Sequence, residues 1–281
     1  MTLNIQEIAN TMWAFGVSDF RHPGLNSVVS KYLSANISSV RDRSKTEITN
    51  IVWSMIILGM HTDVANRSLI STLWQHCNDC NANPGSDGSV GMPGVSIMSL
   101  AQAQLAVQTE VPEEEGWRLE FAEGVVIDGV NTPKLNIITS KFQDSVQRCL
   151  KRHFPEMQCG LGLTEELVVQ TPGVEFDILT LDIAHVETKV GVEVDGPGHF
   201  IVDIGAKNGD GQRKRPNGST QLKDRLLTKL GWTVLHVEHW EWEQHDTTGH
   251  RNNRELLARK MREKGVDVGG SYREEKEGAG V

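Results

Sequence analysis

The first third of the chain carries nearly the same message twice. At an offset of 40, IQEIANTMWAFGV (residues 5–17) lies over KTEITNIVWSMII (residues 45–57), matching Glu7 with Glu47, Ile8 with Ile48, Asn10 with Asn50 and Trp13 with Trp53. At an offset of 41, LNSVVSKYL (25–33) lies over NRSLISTLW (66–74). Each unit reads as two amphipathic helices with a short connection. A helix pair of about 40 residues cannot bury its apolar face alone, so such units stack. An α-helical, solenoid-like repeat is therefore expected here. Trp13 and Trp53 sit among apolar positions at helical spacing, which predicts packing between helices. Asn10 and Asn50 leave two readings open. One is a buried amide satisfied by the neighbouring repeat, the other a recurring polar position that reads a base.

The helical period ends after Gln75. Residues 76–96 are rich in Gly, Asn, Pro and Ser and read as a loop. His76, Cys77 and Cys80 cluster there, but no second pair completes the four ligands of a zinc site. SIMSLAQAQLAVQTE (96–110) reads as a capping helix that Pro112 ends. Four cysteines without a secretory signal point to a reducing compartment. No apolar run approaches the roughly 18 residues of a membrane span. The N-terminus enters a helical pattern directly, with Glu7 and no early arginine, unlike a transit peptide.

The net charge of −9 excludes a surface that grips phosphate everywhere. Local balance is more informative. Lys207, Arg213, Lys214, Arg215, Lys223, Arg225 and Lys229 face only Asp210 and Asp224 over residues 207–229, a balance of +5. Residues 110–123 carry six glutamates against Arg118, a balance of −5, and read as solvated surface.

From Thr139 helices and strands alternate. Residues 140–154 place Phe142, Val146, Cys149 and Leu150 on one helical face. Residues 174–186 and KVGVEVDG (189–196) read as two strands paired through a turn at 185–189. Glu193 and Asp195, two apart on a strand, share a face about 7 Å apart. Asp182 on the preceding strand can approach them. Three carboxylates at a strand end could hold Mg²⁺, whereas an Asp before Gly196-Pro197-Gly198 can also serve to cap the turn. In residues 217–232, Ser219 or Thr220 can N-cap a helix with Leu222, Leu226, Leu227 and Leu230 on its apolar stripe, and Gly231 follows its end. WTVLHV is one more strand, running into Trp240, Glu241 and Trp242; residues 255–265 form a last helix.

GVEVDGPGHF, NGSTQLKDRLLTKLGW and VEHWEWEQ, in this order, resemble the RAP domain, an RNA-binding domain abundant in apicomplexans. The EIANTMWAFG units resemble the helical repeats that accompany it in FAST kinase-like and octotricopeptide-type organelle RNA factors. No glycine-rich phosphate loop, HRD or DFG motif of a kinase is present. The resemblance implies a restriction-endonuclease-like fold and an RNA-binding protein of an organelle, the mitochondrial matrix favoured over the plastid. It would act in RNA processing, stability, translation or ribosome assembly, beside ribosomal or RNA-processing proteins and without a membrane.

Nucleases of that fold place Asp on one strand and Glu-x-Lys on the next. Asp182 and Glu193 fit, but Asp195 stands where the lysine belongs, which favours binding over cleavage. The expected RNA contacts are Lys214, Arg215, Lys223 and Arg225 to phosphates, with His199, Phe200, Trp240 and Trp242 beside the bases. The alternative is a Mg²⁺-dependent ribonuclease with Asp182, Glu193 and Asp195 on the metal and Lys223 assisting. Mg²⁺ is the one cofactor under consideration, and only there. A second alternative is a structural subunit of an organelle ribosome or RNA–protein complex. The expected domains are helical repeats at 1–110, an acidic linker at 111–138, a RAP-like α/β domain at 139–265 and a disordered tail at 266–281.

Overall fold

A computed structural model describes residues 4–41, 44–82, 94–121, 140–154, 163–171, 178–202, 214–246 and 250–267. The chain is helical in its N-terminal part and α/β beyond it. It divides into two compact units that interleave in sequence. One holds residues 1–135, 170–179 and 200–230, the other 136–169, 180–199 and 231–281. Residues 200–230, expected with the α/β domain, thus group with the N-terminal helices.

The first unit is built on two helix pairs, α1 (Ile5–Val17) with α2 (Leu25–Ala35), and α4 (Lys45–Ile57) with α5 (Val64–Ala82), as the repeat predicts; a short α3 (Ile37–Arg41) links them. The repetition extends to the caps. Asn4 with Glu7 and Ser44 with Glu47 each form a reciprocal capping box at the start of α1 and α4. α4 is the central helix, packed against α1 and against α6 (Gly94–Glu110). Ile48, Ile51, Val52, Met55 and Ile56 are accordingly fully buried.

Three sequence expectations are corrected in this unit. Trp13 is not core: it is 49% exposed. The buried stripe of α1 is Ile5, Ile8, Ala9, Met12 and Gly16, and Trp13 lies about 100° round the helix from Met12, on the open side with exposed Asn10. Its counterpart Trp53 is half-buried and donates to Gln102 Oε1 of α6 at 3.2 Å. Second, α5 continues through His76 to Ala82, where the composition predicts a loop. Asn78 Nδ2 on that last stretch donates to the Glu120 carbonyl at 2.8 Å. Third, residues 111–121 are not a linker in solvent. Trp117 donates to Ser71 Oγ, Trp74 donates to the Glu120 carbonyl, Arg67 pairs with Glu115, and Leu119 is buried. Glu113 and Glu114 remain exposed, as expected. The rest of the expected loop (83–93), of the linker (122–138) and of the tail (268–281) lies outside the described residues.

Glu110, at the end of α6, is the exception in the acidic run. Its side chain is 8% exposed, with one oxygen 2.8 Å from His61 Nε2 and the other accepting from Arg225 Nε. Burial raises its pKa, but the hydrogen bond to His61 and the charge and hydrogen bond of Arg225 outweigh burial and hold it below its ordinary 4.5. A depressed carboxyl pKa stabilises the fold above the ordinary value, and that stability is lost as pH falls through it. Stability should therefore decline from about pH 5 downward. In urea titrations across that range, Glu110→Gln should flatten the decline; an unchanged slope would assign the acid sensitivity to other carboxyls.

The second unit is a four-stranded sheet in the order β1 (Leu163–Val168), β2 (Thr180–His185), β3 (Val190–Asp195), β6 (Thr233–Glu238). β2 and β3 pair antiparallel through a turn at 186–189, one residue shorter than the expected 185–189 because His185 ends β2, and β6 runs parallel to β3. Alternation sends Val190, Val192 and Val194 of β3, with Leu235 and Val237 of β6, into one core. That core is closed by Val146, Cys149 and Leu150 of α7 (Lys141–His153) and by Leu256, Leu257 and Met261 of α10 (His250–Glu263).

Candidate nucleic-acid interface

Asp182, Glu193 and Asp195 do end on neighbouring strands, but their side chains are engaged separately. The β2–β3 ladder is regular from His185↔Val190 to Ile183↔Val192. At the next step the Asp182 carboxylate accepts the Val194 N–H at 2.7 Å. Asp195 is 2% exposed; its Oδ2 lies 2.7 Å from His236 Nδ1 and its Oδ1 3.2 Å from His199 Nδ1. Glu193 is buried at 3% and stands in register with His236. Among the described residues no group of three or more His, Cys, Asp or Glu is arranged to hold a metal ion. Two members of the three-carboxylate Mg²⁺ set are engaged by protein groups, Asp182 by a backbone N–H and Asp195 Oδ2 by the His236 ring, while Asp195 Oδ1 accepts no hydrogen bond. Asp195 holds the ring of His236 and stands 3.2 Å from that of His199. The part played by His236 is not visible in the sequence, since it depends on β6 lying parallel to β3.

The basic candidates lie in the first unit. Lys214 and Arg215 form β5 (Lys214–Pro216), paired antiparallel with β4 (Phe200–Val202), so that Phe200 faces Pro216 in the ladder and Ile201 faces Arg215. Lys214 is exposed and Phe200 half-buried. Arg215 Nη1 donates to the Ser18 carbonyl. α8 (Gly218–Lys229) follows, N-capped by Asn217 rather than by Ser219 or Thr220, with its end marked by Gly231 at φ +84°. Leu222, Leu226 and Leu227 are buried as the stripe predicts, while Lys223 is half-buried and Lys229 exposed. Arg225 departs from the expectation of a phosphate contact. Besides Glu110, it donates to the carbonyls of Ile57 at 3.2 Å and Ile56 at 3.1 Å, at the end of α4. A guanidinium meeting the exposed carbonyls and negative pole of a helix C-terminus is a structural fastening.

The aromatic pair divides. The segment after β6 is helical, α9 (His239–Asp246). Trp242 is 4% exposed, belongs to the core of the second unit and donates Nε1–H to Ser145 Oγ at 2.8 Å. It does not offer an open stacking face on the surface. Trp240 is half-buried with His239 edge-on to it at 4.9 Å. The cationic side of α7, with Arg148 and Arg152 one turn apart, escapes a sequence reading that follows only the apolar face of that helix. Among the described residues no helix is long and apolar enough to cross a membrane.

Comparison with known proteins agrees with the motif order. A RAP domain-containing protein from Oryza sativa subsp. japonica, named as chloroplastic, is 27% identical over 206 residues, or 71% of this chain. The chain spans 27% of the length of that relative. The family described as the RAP domain matches residues 192–259, a stretch that takes in β3, the β4–β5 hairpin, α8, β6 and most of α10. The chain carries a RAP domain at residues 192–259.

Proposed function

We propose that the protein binds RNA and acts in organelle RNA metabolism, in processing, stability, translation or ribosome assembly. The observation that carries this is the coincidence of the RAP match with the stretch of local charge +5, inside a chain of net −9. Exposed Lys214, opposite Val202, and half-buried Phe200, opposite Pro216, give that stretch a cation and an aromatic within the small β4–β5 pair. The rice relative is named as chloroplastic, which supports a plastid; the mitochondrion favoured from the sequence gains no such support. An Asp on β2 and a Glu on the antiparallel β3 support a restriction-endonuclease-like ancestry for the sheet. Ribosomal or RNA-processing proteins would be the companions of such a factor.

Charge reversal at Lys214 and Lys223 tests the footprint without touching Arg215 and Arg225, which hold the fold. The double variant should bind single-stranded RNA more weakly. Its log K against log salt slope should flatten by about 1.4, or roughly 0.7 for each phosphate no longer neutralised. Fluorescence anisotropy from 50 to about 200 mM salt reads both. An unchanged slope would place the footprint elsewhere. With Mg²⁺ present the RNA should stay intact; cleavage that disappears in Glu193→Ala would replace the binding reading with a nuclease.

A further inference from the structure

The second unit holds a cavity of about 840 Å³ between the cationic side of α7, the Gly196–Pro197 end of β3, and helices α9 and α10. Pockets that enclose small ligands run from about 300 to about 1,000 Å³. Its chemistry is graded. At the mouth stand Lys141, Arg148 and Arg152, all exposed. Arg148 and Arg152 share one face of α7, and Arg148 Nε is tied to the Asp144 carbonyl at 3.2 Å. Deeper in are Phe142 and Trp242, their ring centroids 6.1 Å apart. The indole N–H of Trp242 is already given to Ser145, so its contribution to the lining is apolar. Burial pushes the Cys149 thiol up to about 11, Arg152 and Arg254 offsetting only part of the effect, so the wall beside it stays uncharged.

In this lining the side-chain oxygen of Asn253 lacks a partner. Asn253 is 3% exposed and lines the cavity, and its Oδ1 accepts no hydrogen bond. Buried acceptors are nearly always satisfied, so an orphan on a cavity wall indicates a donor that arrives with a ligand. Anion-binding guanidiniums at the rim, aromatic and apolar walls within, and one unsatisfied acceptor in the wall are the complement of a nucleotide. We infer that this cavity takes one nucleotide of single-stranded RNA, its base turned in against Phe142, which the buried Trp242 backs, with an N–H on Asn253 Oδ1, and its phosphate held by Arg148 and Arg152. The inference rests on the RNA-binding reading and gives it a second, deeper contact beyond the β4–β5 hairpin.

The test uses the full chain and a fluorescent single-stranded 12-mer RNA with 2-aminopurine at one internal position, with free 5′-AMP as a second probe. Arg148→Glu with Arg152→Glu changes exposed side chains only and should weaken 12-mer affinity by about tenfold or more. Asn253→Leu removes the orphan acceptor, so it should keep or raise the melting temperature while it weakens the complex. The wild type should brighten the 2-aminopurine as the base leaves its stack, and Asn253→Leu should not. Wild-type affinity and brightening in both variants would overturn the pocket while leaving RNA binding in place. Tight 5′-AMP binding that the variants abolish, with 12-mer binding unaffected, would assign the cavity to a free nucleotide and overturn the RNA contact. A wild type that binds no RNA at all would remove the functional reading and this inference together.

Discussion

Arg225→Ala should lower the stability of the first unit by about 3–5 kcal/mol, the cost of removing one partner from a buried charge pair. Arg225 serves three acceptors at once: the Glu110 carboxylate and the carbonyls of Ile56 and Ile57. With alanine there, Glu110 keeps only His61 within its buried site, and the end of α4 is left without the groups that satisfied it. Arg225→Lys should recover only part of the loss, because one ammonium cannot reproduce the planar fork that spans a carboxylate and two carbonyls. Adding Glu110→Gln to Arg225→Ala should restore some stability, since a neutral amide is cheaper to leave buried than a carboxylate. Urea titrations of the four proteins read this directly. A loss under about 1 kcal/mol would show that solvent replaces the guanidinium freely and that the fastening is nominal. The result also governs functional work. An Arg225 variant that fails to bind RNA reports on α8 docking before it reports on phosphate contact.

Features set by local rules are legible in the sequence. The capping boxes at Asn4 and Ser44, the leucine stripe of α8, Gly231 after it, the turn at 186–189 and the β2–β3 pairing all follow from spacing over a few residues. Features that depend on distant partners are not. The three acceptors of Arg225 lie 115, 168 and 169 positions away, so its basic charge reads as a phosphate contact. Trp13 and Trp53 have the same local context, yet α4 has a helix on each side, and the open side of α1 leaves Trp13 in solvent. Asn217, Ser219 and Thr220 all have capping chemistry, and only the packed register of α8 selects the first. The strand pattern puts Asp182 and Asp195 on adjacent strands, as the structure does. Their engagement by Val194 N–H, His199 and His236 requires the parallel partner β6 and the break in the ladder. The nucleotide-sized cavity gathers residues from α7, β3, α9 and α10, and no motif announces such a convergence.

Gly218→Ala should be the most disruptive glycine-to-alanine change among the described residues. A Cβ at Gly218 would stand 1.9 Å from the Gly16 carbonyl oxygen and 3.0 Å from both its carbon and Ile57 Cγ2. That oxygen belongs to the last turn of α1, whose backbone cannot rotate it aside without unwinding. The first turn of α8 must therefore lift from α1 and α4, exposing surface beside Leu222, and a loss of about 3 kcal/mol is expected, at the upper end for overpacked sites. Gly196→Ala and Gly198→Ala supply the contrast: a Cβ at either meets nothing within 4 Å, so changes within about 0.5 kcal/mol are expected. Gly16→Ala acts on a neighbouring approach, that of α1 to α4, where the new Cβ would stand 2.9 Å from Ser54 Oγ. Both changes displace α1, one from α4 and the other from α8, so once either has moved it the other has less to displace. Thermal and urea unfolding of the Gly16→Ala, Gly218→Ala pair should therefore fall short of the sum of the singles by about 1 kcal/mol. Full additivity would mean that the two glycines accommodate independent contacts, and that α1 does not pass strain from the α8 side to the α4 side.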